Sequence, residues 1–198
     1  MGRMKELQKQ LHNYIQTPQD AYINAKLGEE YEKIGQGAAA HSYFLRAAEL
    51  LHDSDPKMAY NCFLKTWKQL NITTRRPEWE QGQLQAAIAY APHRPEAYYH
   101  LSVWHSNRKE WMISYMYACL GKDNIKENTP LTYDIGYPGD FVFDFQKAFT
   151  GWYIGKRDQS KSLFLELGKL KDIPQNLDRK SIRLNSSHMS ESRMPSSA

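Results

Sequence analysis

The sequence contains little cysteine, no long apolar run and no strong excess of charge of one sign. Its two cysteines, Cys62 and Cys119, form no CxxC or other metal-ligand spacing, so we expect buried, reduced thiols. The longest apolar run, residues 86–91, is far shorter than the roughly 20 residues that a membrane-spanning helix needs. The first 15 residues lack the apolar region of a signal peptide. These absences predict a soluble, cytoplasmic protein with no membrane partner.

What is present is typical of a globular domain. The 198 residues are 41% hydrophobic, 13% aromatic and 24% charged. This composition excludes a disordered polyelectrolyte and a collagen-like chain. A chain of this length buries a hydrophobic core without disulfides or a structural metal.

The last 21 residues, 178–198, differ from the rest of the chain because they contain seven serines, no aromatic residue and no helical or strand period. This segment resembles a translated sequencing adapter, in which DRKSIRLNSSH and SRMPSSA are the two constant arms around a short variable insert. We interpret it as a non-native, disordered tail. Without it the formal net charge falls from +4 to +2, which removes the compositional argument for nucleic-acid binding.

Helix signals dominate residues 1–177. Thr17-Pro18 offers an N-cap threonine followed by proline at the first helical position, and Asp55-Pro56 and Arg94-Pro95 repeat this placement of proline. Strand-like alternation is confined to residues 140–145. The pattern predicts an all-α protein with an N-terminal helical segment at 1–16 and one helical domain at 17–177.

The helical pattern is repetitive. The first unit combines a Leu-Gly-x-x-Tyr motif, a turn glycine and an Ala-x-x-x-Phe motif, carried by Leu27, Gly28, Tyr31, Gly35, Ala40, Phe44 and Ala47. Large and small residues at these spacings interlock where two antiparallel helices cross, which is the tetratricopeptide (TPR) pattern. Asn24, Tyr60 and Tyr98 hold corresponding positions, 36 and 38 residues apart. With a looser fourth unit around Ala148, the sequence predicts a right-handed TPR-like helical-hairpin solenoid of three to four degenerate repeats.

The first helix of each pair in this architecture lines a concave surface. The helical period places two sets of candidate binding residues on that surface. They are Tyr22, Ala25, Glu29 and Lys33 in the first repeat, and Tyr99, Val103 and Asn107 in the third. TPR domains that capture a chaperone's terminal carboxylate have Lys and Asn where this chain has Ala25 and Glu29, which argues against that activity.

Two motifs resemble metal sites. Asp53-Ser54-Asp55 is a DxD motif, with which glycosyltransferases hold a divalent cation against a sugar nucleotide, but its position between two predicted helices favours Asp55 as the N-cap of the second. His100 and His105 are five residues apart and diverge by about 140° on a helix, whereas paired zinc ligands are four apart. We expect packing residues here, with no metal, cofactor or catalytic site.

Two aromatic regions leave alternatives open. Aromatic residues are dense between 98 and 117; because basic residues are not interleaved among them, we expect interhelical packing, with a peptide groove as the alternative. The segment 133–144, YDIGYPGDFVFD, has a Pro-Gly turn among four aromatic and three acidic residues. We expect it either to pack as a structured loop against the last helix pair or to form part of a ligand surface.

Three stretches carry a resemblance to a known family: LGEEYEKIGQGAAAHSYFLRAAEL, APHRPEAYYHLS and DIGYPGDFVFDFQKAFTGWYIGKRDQSKSLFLEL. They resemble the TPR-like region attached to, or encoded beside, family 2 glycosyltransferases of marine microbes and their large phages, over residues 15–170. Active members carry a separate nucleotide-sugar-binding domain, for which this sequence has no parallel βαβ alternation.

The resemblance implies a non-catalytic protein-interaction or scaffold module. Its expected partner is a protein or peptide, with a glycosyltransferase as the candidate, and no nucleic acid or cofactor. The alternative is a C-terminal helical fragment of a family 2 glycosyltransferase polypeptide.

Overall fold

The computed structural model describes residues 2–73, 77–127 and 129–169, so the predicted tail at 178–198 lies outside the described residues. Within those ranges the chain forms nine α-helices and no β-strand. The helices are α1 (Gly2–Gln16), α2 (Ala21–Lys33), α3 (Gly37–Leu51), α4 (Pro56–Thr73), α5 (Pro77–Tyr90), α6 (Glu96–Asn107), α7 (Trp111–Asn124), α8 (Phe141–Tyr153) and α9 (Arg157–Leu167). No helix among the described residues is both long and apolar enough to cross a bilayer.

The chain divides into two compact units. Among the described residues, unit 1 comprises those up to Ala97 and those from Lys126 to Gly136, and unit 2 comprises Tyr98–Ile125 and those from Tyr137 to Lys169. In unit 1, α1 packs on α2, α2 on α3, α3 on α4, and α4 on α5. In unit 2, α7 packs on α8, and α8 on α9.

The core of unit 1 has the interlocking of large and small residues that the sequence predicts. It includes Ala25, Ala40, Phe44, Ala47, Ala48, Leu51, Met58, Ala59 and Cys62, all buried. The Phe44 ring fits against Gly28 because a Cβ there would lie 2.8 Å from a ring carbon, so only glycine lets α3 approach α2 this closely. The Leu-Gly-x-x-Tyr motif of the first repeat therefore fixes the crossing of α2 and α3.

In unit 2, two serines join the first and second helices of the third repeat. The Ser102 hydroxyl donates to the Ser114 carbonyl at 2.9 Å, and the Ser114 hydroxyl donates to the Ser102 carbonyl at 2.6 Å. Each hydroxyl satisfies a backbone acceptor inside the crossing, where the two side chains are fully buried. The fourth repeat has a separate apolar cluster of Ala148, Phe164 and Leu167.

The observed N-caps of α2 and α4 can be compared with the predicted ones. The prediction for α2 is wrong, and the prediction for α4 is confirmed. The N-cap of α2 is Asp20, whose side chain accepts from the Ile23 backbone N–H at 3.0 Å, and not Thr17. Thr17 closes α1 instead, because its N–H and hydroxyl both donate to the Asn13 carbonyl. Asp55 is the N-cap that we expected, since its carboxylate accepts from the Met58 N–H at 3.0 Å.

Two further expectations need correction. Residues 140–145 enter α8 and not a strand, because Val142, Phe143 and Gln146 are buried together at helical spacing. Cys62 is buried as expected, and burial raises the pKa of its thiol to about 12. Cys119 is only half-buried on α7, so the expectation of two buried thiols holds for one of them.

We predict that Ala40→Leu lowers the free energy of unfolding by about 1 to 3 kcal/mol, because Ala40 is fully buried in the α2–α3 core and a larger side chain overpacks it. Urea unfolding measures the change. Ala38→Leu, at an exposed position of the same helix, is the control and should stay within about 0.5 kcal/mol of the parent chain. Coincident midpoints for Ala40→Leu and the parent chain would show that the repeat register is wrong.

Candidate functional site

A non-helical stretch of the chain lies on the first-helix side of unit 1. We call residues 126–136 the linker segment; all of them except Asn128 are among the described residues. The segment belongs to unit 1, although its neighbours in sequence on both sides belong to unit 2. It contacts α4 along the length of that helix, from the Lys57 Nζ, 3.1 Å from the Thr129 hydroxyl, to the Lys68 Nζ, 3.5 Å from the Asp134 carbonyl.

Asn61, a buried residue in the first half of α4, binds the backbone of the linker segment. Its Oδ1 accepts from the Tyr133 backbone N–H at 2.6 Å, and its Nδ2 donates to the Tyr133 carbonyl at 3.2 Å. One side-chain amide thus satisfies both backbone groups of a single residue. Such a contact recognises a non-helical backbone whatever side chain that residue carries.

The Tyr133 side chain enters an aromatic and charged site on the same face. Its ring meets the Phe44 ring edge-on, with 5.8 Å between centroids. The Lys65 Nζ lies 5.4 Å from the Tyr133 centroid and 5.7 Å from that of Phe44, within cation–π distance of both. Burial, followed by a hydrogen bond to the Glu29 carboxylate, raises the pKa of the Tyr133 hydroxyl above its ordinary value.

Lys65 is itself nearly buried and needs a charged partner there. The Glu32 carboxylate of α2 supplies it, with 2.8 Å between the Lys65 Nζ and Glu32 Oε2. The other carboxylate oxygen of Glu32 accepts from the Gln69 side-chain amide at 2.8 Å. We call the surface formed by Glu29, Glu32, Asn61, Lys65 and Gln69 the α2–α4 face.

Arg94 fixes the beginning of the linker segment. Only 2% of this residue is exposed, and its guanidinium donates to Glu127 Oε1 at 3.0 Å and to the Thr129 carbonyl at 2.8 Å. Glu96, two residues further along the chain, pairs with the remaining side of the guanidinium.

A backbone hydrogen bond and a hydrogen bond from the Thr129 hydroxyl to the Glu127 carboxylate add to the contacts of Arg94. The Lys126 N–H donates to the His93 carbonyl at 3.0 Å. The Thr129 hydroxyl, together with the charge of Arg94, lowers the pKa of the Glu127 carboxyl. The His-Arg-Pro-Glu-Ala sequence at 93–97 therefore holds the linker segment in unit 1.

The predicted binding residues of the first repeat lie along α2 in different surroundings. Glu29 is at the centre, beside the Tyr133 hydroxyl. Tyr22 is half-exposed near the start of the helix and donates to Asp55 Oδ2 at 3.1 Å. Lys33 is exposed at its end, with its Nζ 2.6 Å from Glu30 Oε1 and 3.9 Å from Glu29 Oε2. Of these residues, Glu29 is the one that the structure brings to the linker segment.

The predicted residues of the third repeat, Tyr99, Val103 and Asn107, belong to unit 2. Tyr99 and Val103 are half-buried, and Asn107 is exposed at the end of α6. The Tyr99 ring packs edge-on against Tyr137, with 5.7 Å between centroids. Tyr137 follows directly after the linker segment, so an aromatic side chain from outside the helices covers the first-helix side in this unit as well.

The candidate residues named from the sequence do not include Asn61, Lys65 and Gln69, although the spacing of the repeats indicates them. These residues follow Ala25, Glu29 and Lys33 by 36 positions and precede Tyr99, Val103 and Asn107 by 38. The same register, extended to the second repeat, would have named all three. Arg94 gave a weaker signal, since nothing in the sequence distinguishes a buried arginine from an exposed one at a helix start.

The motifs that resembled metal sites have structural roles. Asp55 caps α4 and accepts from Tyr22, while the Asp53 side chain is fully exposed. Among the described residues, no group of three or more His, Cys, Asp or Glu side chains is placed to hold a metal ion. His105 is a packing residue, as expected: its Nδ1 lies 2.5 Å from Glu110 Oε2 and its ring stacks on Tyr117.

The two aromatic regions have different surroundings in the structure. Trp111 of α7 stacks on Tyr153 of α8 with 4.2 Å between centroids, which is the interhelical packing that we expected. Segment 133–144 does not form one loop against the last helix pair. Tyr133 packs on Phe44 in unit 1, and residues from Phe141 onward are helical.

Comparison with solved structures identifies the fold. A structure described as a functional characterization of Pseudomonas aeruginosa pilF is 12% identical, with a TM-score of 0.62 over 90% of this chain and 72% of that one. A crystal structure of MamA is 16% identical, with a TM-score of 0.60 over 90% of this chain and 89% of that one. MamA 41-end from Desulfovibrio magneticus RS-1 is 12% identical, with a TM-score of 0.54 over 98% of this chain and 88% of that one.

These neighbours contain TPRs, so the fold is the all-α, TPR-like helical-hairpin solenoid that the repeats predict. Neither the comparison with protein-family models nor that with curated proteins gives a match.

We predict that Asn61→Ala lowers the free energy of unfolding by about 1 to 3 kcal/mol, because both backbone groups of Tyr133 lose their partner. Urea unfolding measures the loss, and faster tryptic cleavage after the exposed Lys126 reports release of the linker segment. Asn107→Ala, an exposed asparagine on α6, is the matched control. If the two variants behave alike in both assays, the Asn61 contact does not hold the segment.

Proposed function

We propose that this protein is a non-catalytic TPR-like interaction module, or scaffold, that binds a polypeptide partner on the first-helix faces of its repeats. The observation that supports the proposal is the contact between Asn61 and Tyr133, because here a first helix already binds a non-helical backbone through a side-chain amide. An enzyme active site would instead need an arrangement of nucleophile, acid–base pair or metal. The DxD motif is the candidate for such a site, but its Asp55 instead caps the start of α4.

The binding residues that we propose are Tyr22, Glu29 and Lys33 in unit 1 and Tyr99, Val103 and Asn107 in unit 2. Tyr22, Lys33 and Asn107 are the exposed members, so an incoming partner reaches them without rearrangement of the core. Lys33 adds a positive charge at the end of α2, and Asn107 offers both a donor and an acceptor. Charge at such a position governs the choice of partner and the rate of association.

The partner that we propose is a cytoplasmic glycosyltransferase, on the basis of the family resemblance over residues 15–170. In the alternative, the chain is the helical C-terminal part of a family 2 glycosyltransferase polypeptide. Gene order in the source genome separates the two. A complete transferase gene beside this one supports a scaffold, and a catalytic domain in frame upstream supports the fragment.

We predict that the adjacent transferase binds the purified chain and that Lys33→Glu weakens binding about tenfold, because it reverses the charge at the end of α2. Isothermal titration calorimetry measures both affinities. Lys169→Glu, an exposed lysine after α9, is the charge-matched control and should bind as the parent chain does. Absence of binding, or equal weakening in the control, contradicts the proposed partner and surface.

We also predict that the chain releases no nucleotide from a panel of sugar nucleotides, with or without manganese, because its DxD motif lacks the further ligands and acid–base groups of an active site. Chromatography of the nucleotide products measures turnover. Asp53→Ala/Asp55→Ala is the control. Release above background that disappears in this double variant would overturn the non-catalytic assignment.

A further inference from the structure

We infer that the linker segment is an internal ligand of the α2–α4 face, and that the external partner of this face is a non-helical peptide with an aromatic residue and nearby acidic residues. The inference rests on the proposed function and names the ligand class for one of its surfaces. The segment's own contacts define that class.

Recognition of the backbone comes first. Asn61 binds the N–H and carbonyl of Tyr133, and Arg94 binds the Thr129 carbonyl four residues earlier. Lys68 reaches the Asp134 carbonyl on the other side of Tyr133. Contacts to three backbone positions require a non-helical peptide, because a helical ligand would use these carbonyls in its own hydrogen bonds.

Side-chain recognition centres on tyrosine. Phe44 meets the ring of Tyr133 edge-on, and the Lys65 Nζ lies within cation–π distance of the same ring. An aliphatic residue would lose both the edge-on ring contact and the cation–π contact. The face therefore selects an aromatic side chain over an aliphatic one.

The preference for acidic residues follows from the charges along the segment's path. Arg94 pairs with the Glu127 carboxylate, six residues before Tyr133. The Lys57 and Lys68 ammonium groups lie at the two ends of the path. Asp134 also supports the bound conformation from within, because its carboxylate accepts from the Gly136 N–H at 2.7 Å and turns the chain after the tyrosine.

Covalent attachment gives the linker segment an advantage over any free peptide. An internal ligand acts at an effective concentration in the millimolar range, so an external peptide of equal intrinsic affinity competes poorly. Its apparent affinity is its intrinsic affinity multiplied by the small fraction of molecules in which the face is empty. Binding of the partner thus requires release of the linker segment, which makes the segment autoinhibitory.

The test uses the full-length chain and a fluorescein-labelled peptide with the sequence of residues 126–136, KENTPLTYDIG. Tyr133→Ala removes the ring of the internal ligand, and fluorescence anisotropy measures peptide binding. We expect this variant to bind the peptide at least tenfold more tightly than the parent chain. Addition of Asn61→Ala should abolish the gain, and a peptide with alanine in place of its tyrosine should not bind.

Tyr153→Ala is the matched control, since it removes a half-exposed tyrosine in unit 2 and should leave peptide binding as weak as in the parent chain. Equal binding by the parent chain and Tyr133→Ala would overturn the inference. So would the absence of peptide binding to a folded Tyr133→Ala variant, or binding that survives Asn61→Ala.

Hydrogen exchange covers the case in which Tyr133→Ala loses its helical circular dichroism. In the parent chain, an excess of unlabelled peptide should accelerate exchange across residues 129–136 and leave α8 unchanged. Unchanged exchange across the segment would overturn the inference. The peptide assays address the α2–α4 face alone, whereas the transferase titration addresses binding of the whole chain. The inference can therefore fail while the proposed function stands.

Discussion

The pair of hydrogen bonds between the Asn61 amide and the backbone of Tyr133 is the interaction on which the arrangement of unit 1 depends. Each such bond contributes about 0.5 to 1.5 kcal/mol to stability, but leaving a buried donor or acceptor unpaired costs more than that. The bonds place the Tyr133 ring on Phe44, which itself fits against Gly28. Repeat packing and segment placement therefore constrain each other through one aromatic ring.

The buried charges of unit 1 depend on the same placement. Lys65 and Arg94 are nearly inaccessible to water, and burial of a cation is costly unless an anion or carbonyl pairs with it. Glu32 pairs with Lys65 from within the helices, whereas Arg94 uses Glu127 and the Thr129 carbonyl of the linker segment in addition to Glu96. Release of the segment thus leaves Arg94 with fewer partners, and an incoming acidic peptide would restore them.

Helical features were predictable from the sequence because they follow local patterns. Gly28, Ala40 and Phe44 identified the crossing of α2 and α3, and the cap at Asp55 followed from the proline after it. The register named Glu29 among the candidate binding residues, and the structure places its carboxylate near Tyr133. The local pattern predicted the start of α2 at Thr17, whereas the helix begins after Asp20, because the start depends on where α1 ends, which propensity does not determine.

The destination of the linker segment was not predictable, because a non-helical stretch has no period that specifies the helix it packs against. Asn61 and Tyr133 are 72 residues apart, and neither residue type is unusual at its position. The burial of Arg94 was not predictable either, since it depends on Glu127, 33 residues further along the chain. Tertiary contacts, and not local propensity, decide where the linker segment packs and whether Arg94 is buried.

Nuclear Overhauser effects between the ring protons of Tyr133 and Phe44 in the full chain test the central claim most directly. The ring centroids are 5.8 Å apart, so we predict a clear cross-peak between the two rings and a slowly exchanging Tyr133 amide. A missing cross-peak, together with random-coil shifts for Tyr133, would contradict the claim that the α2–α4 face holds the linker segment.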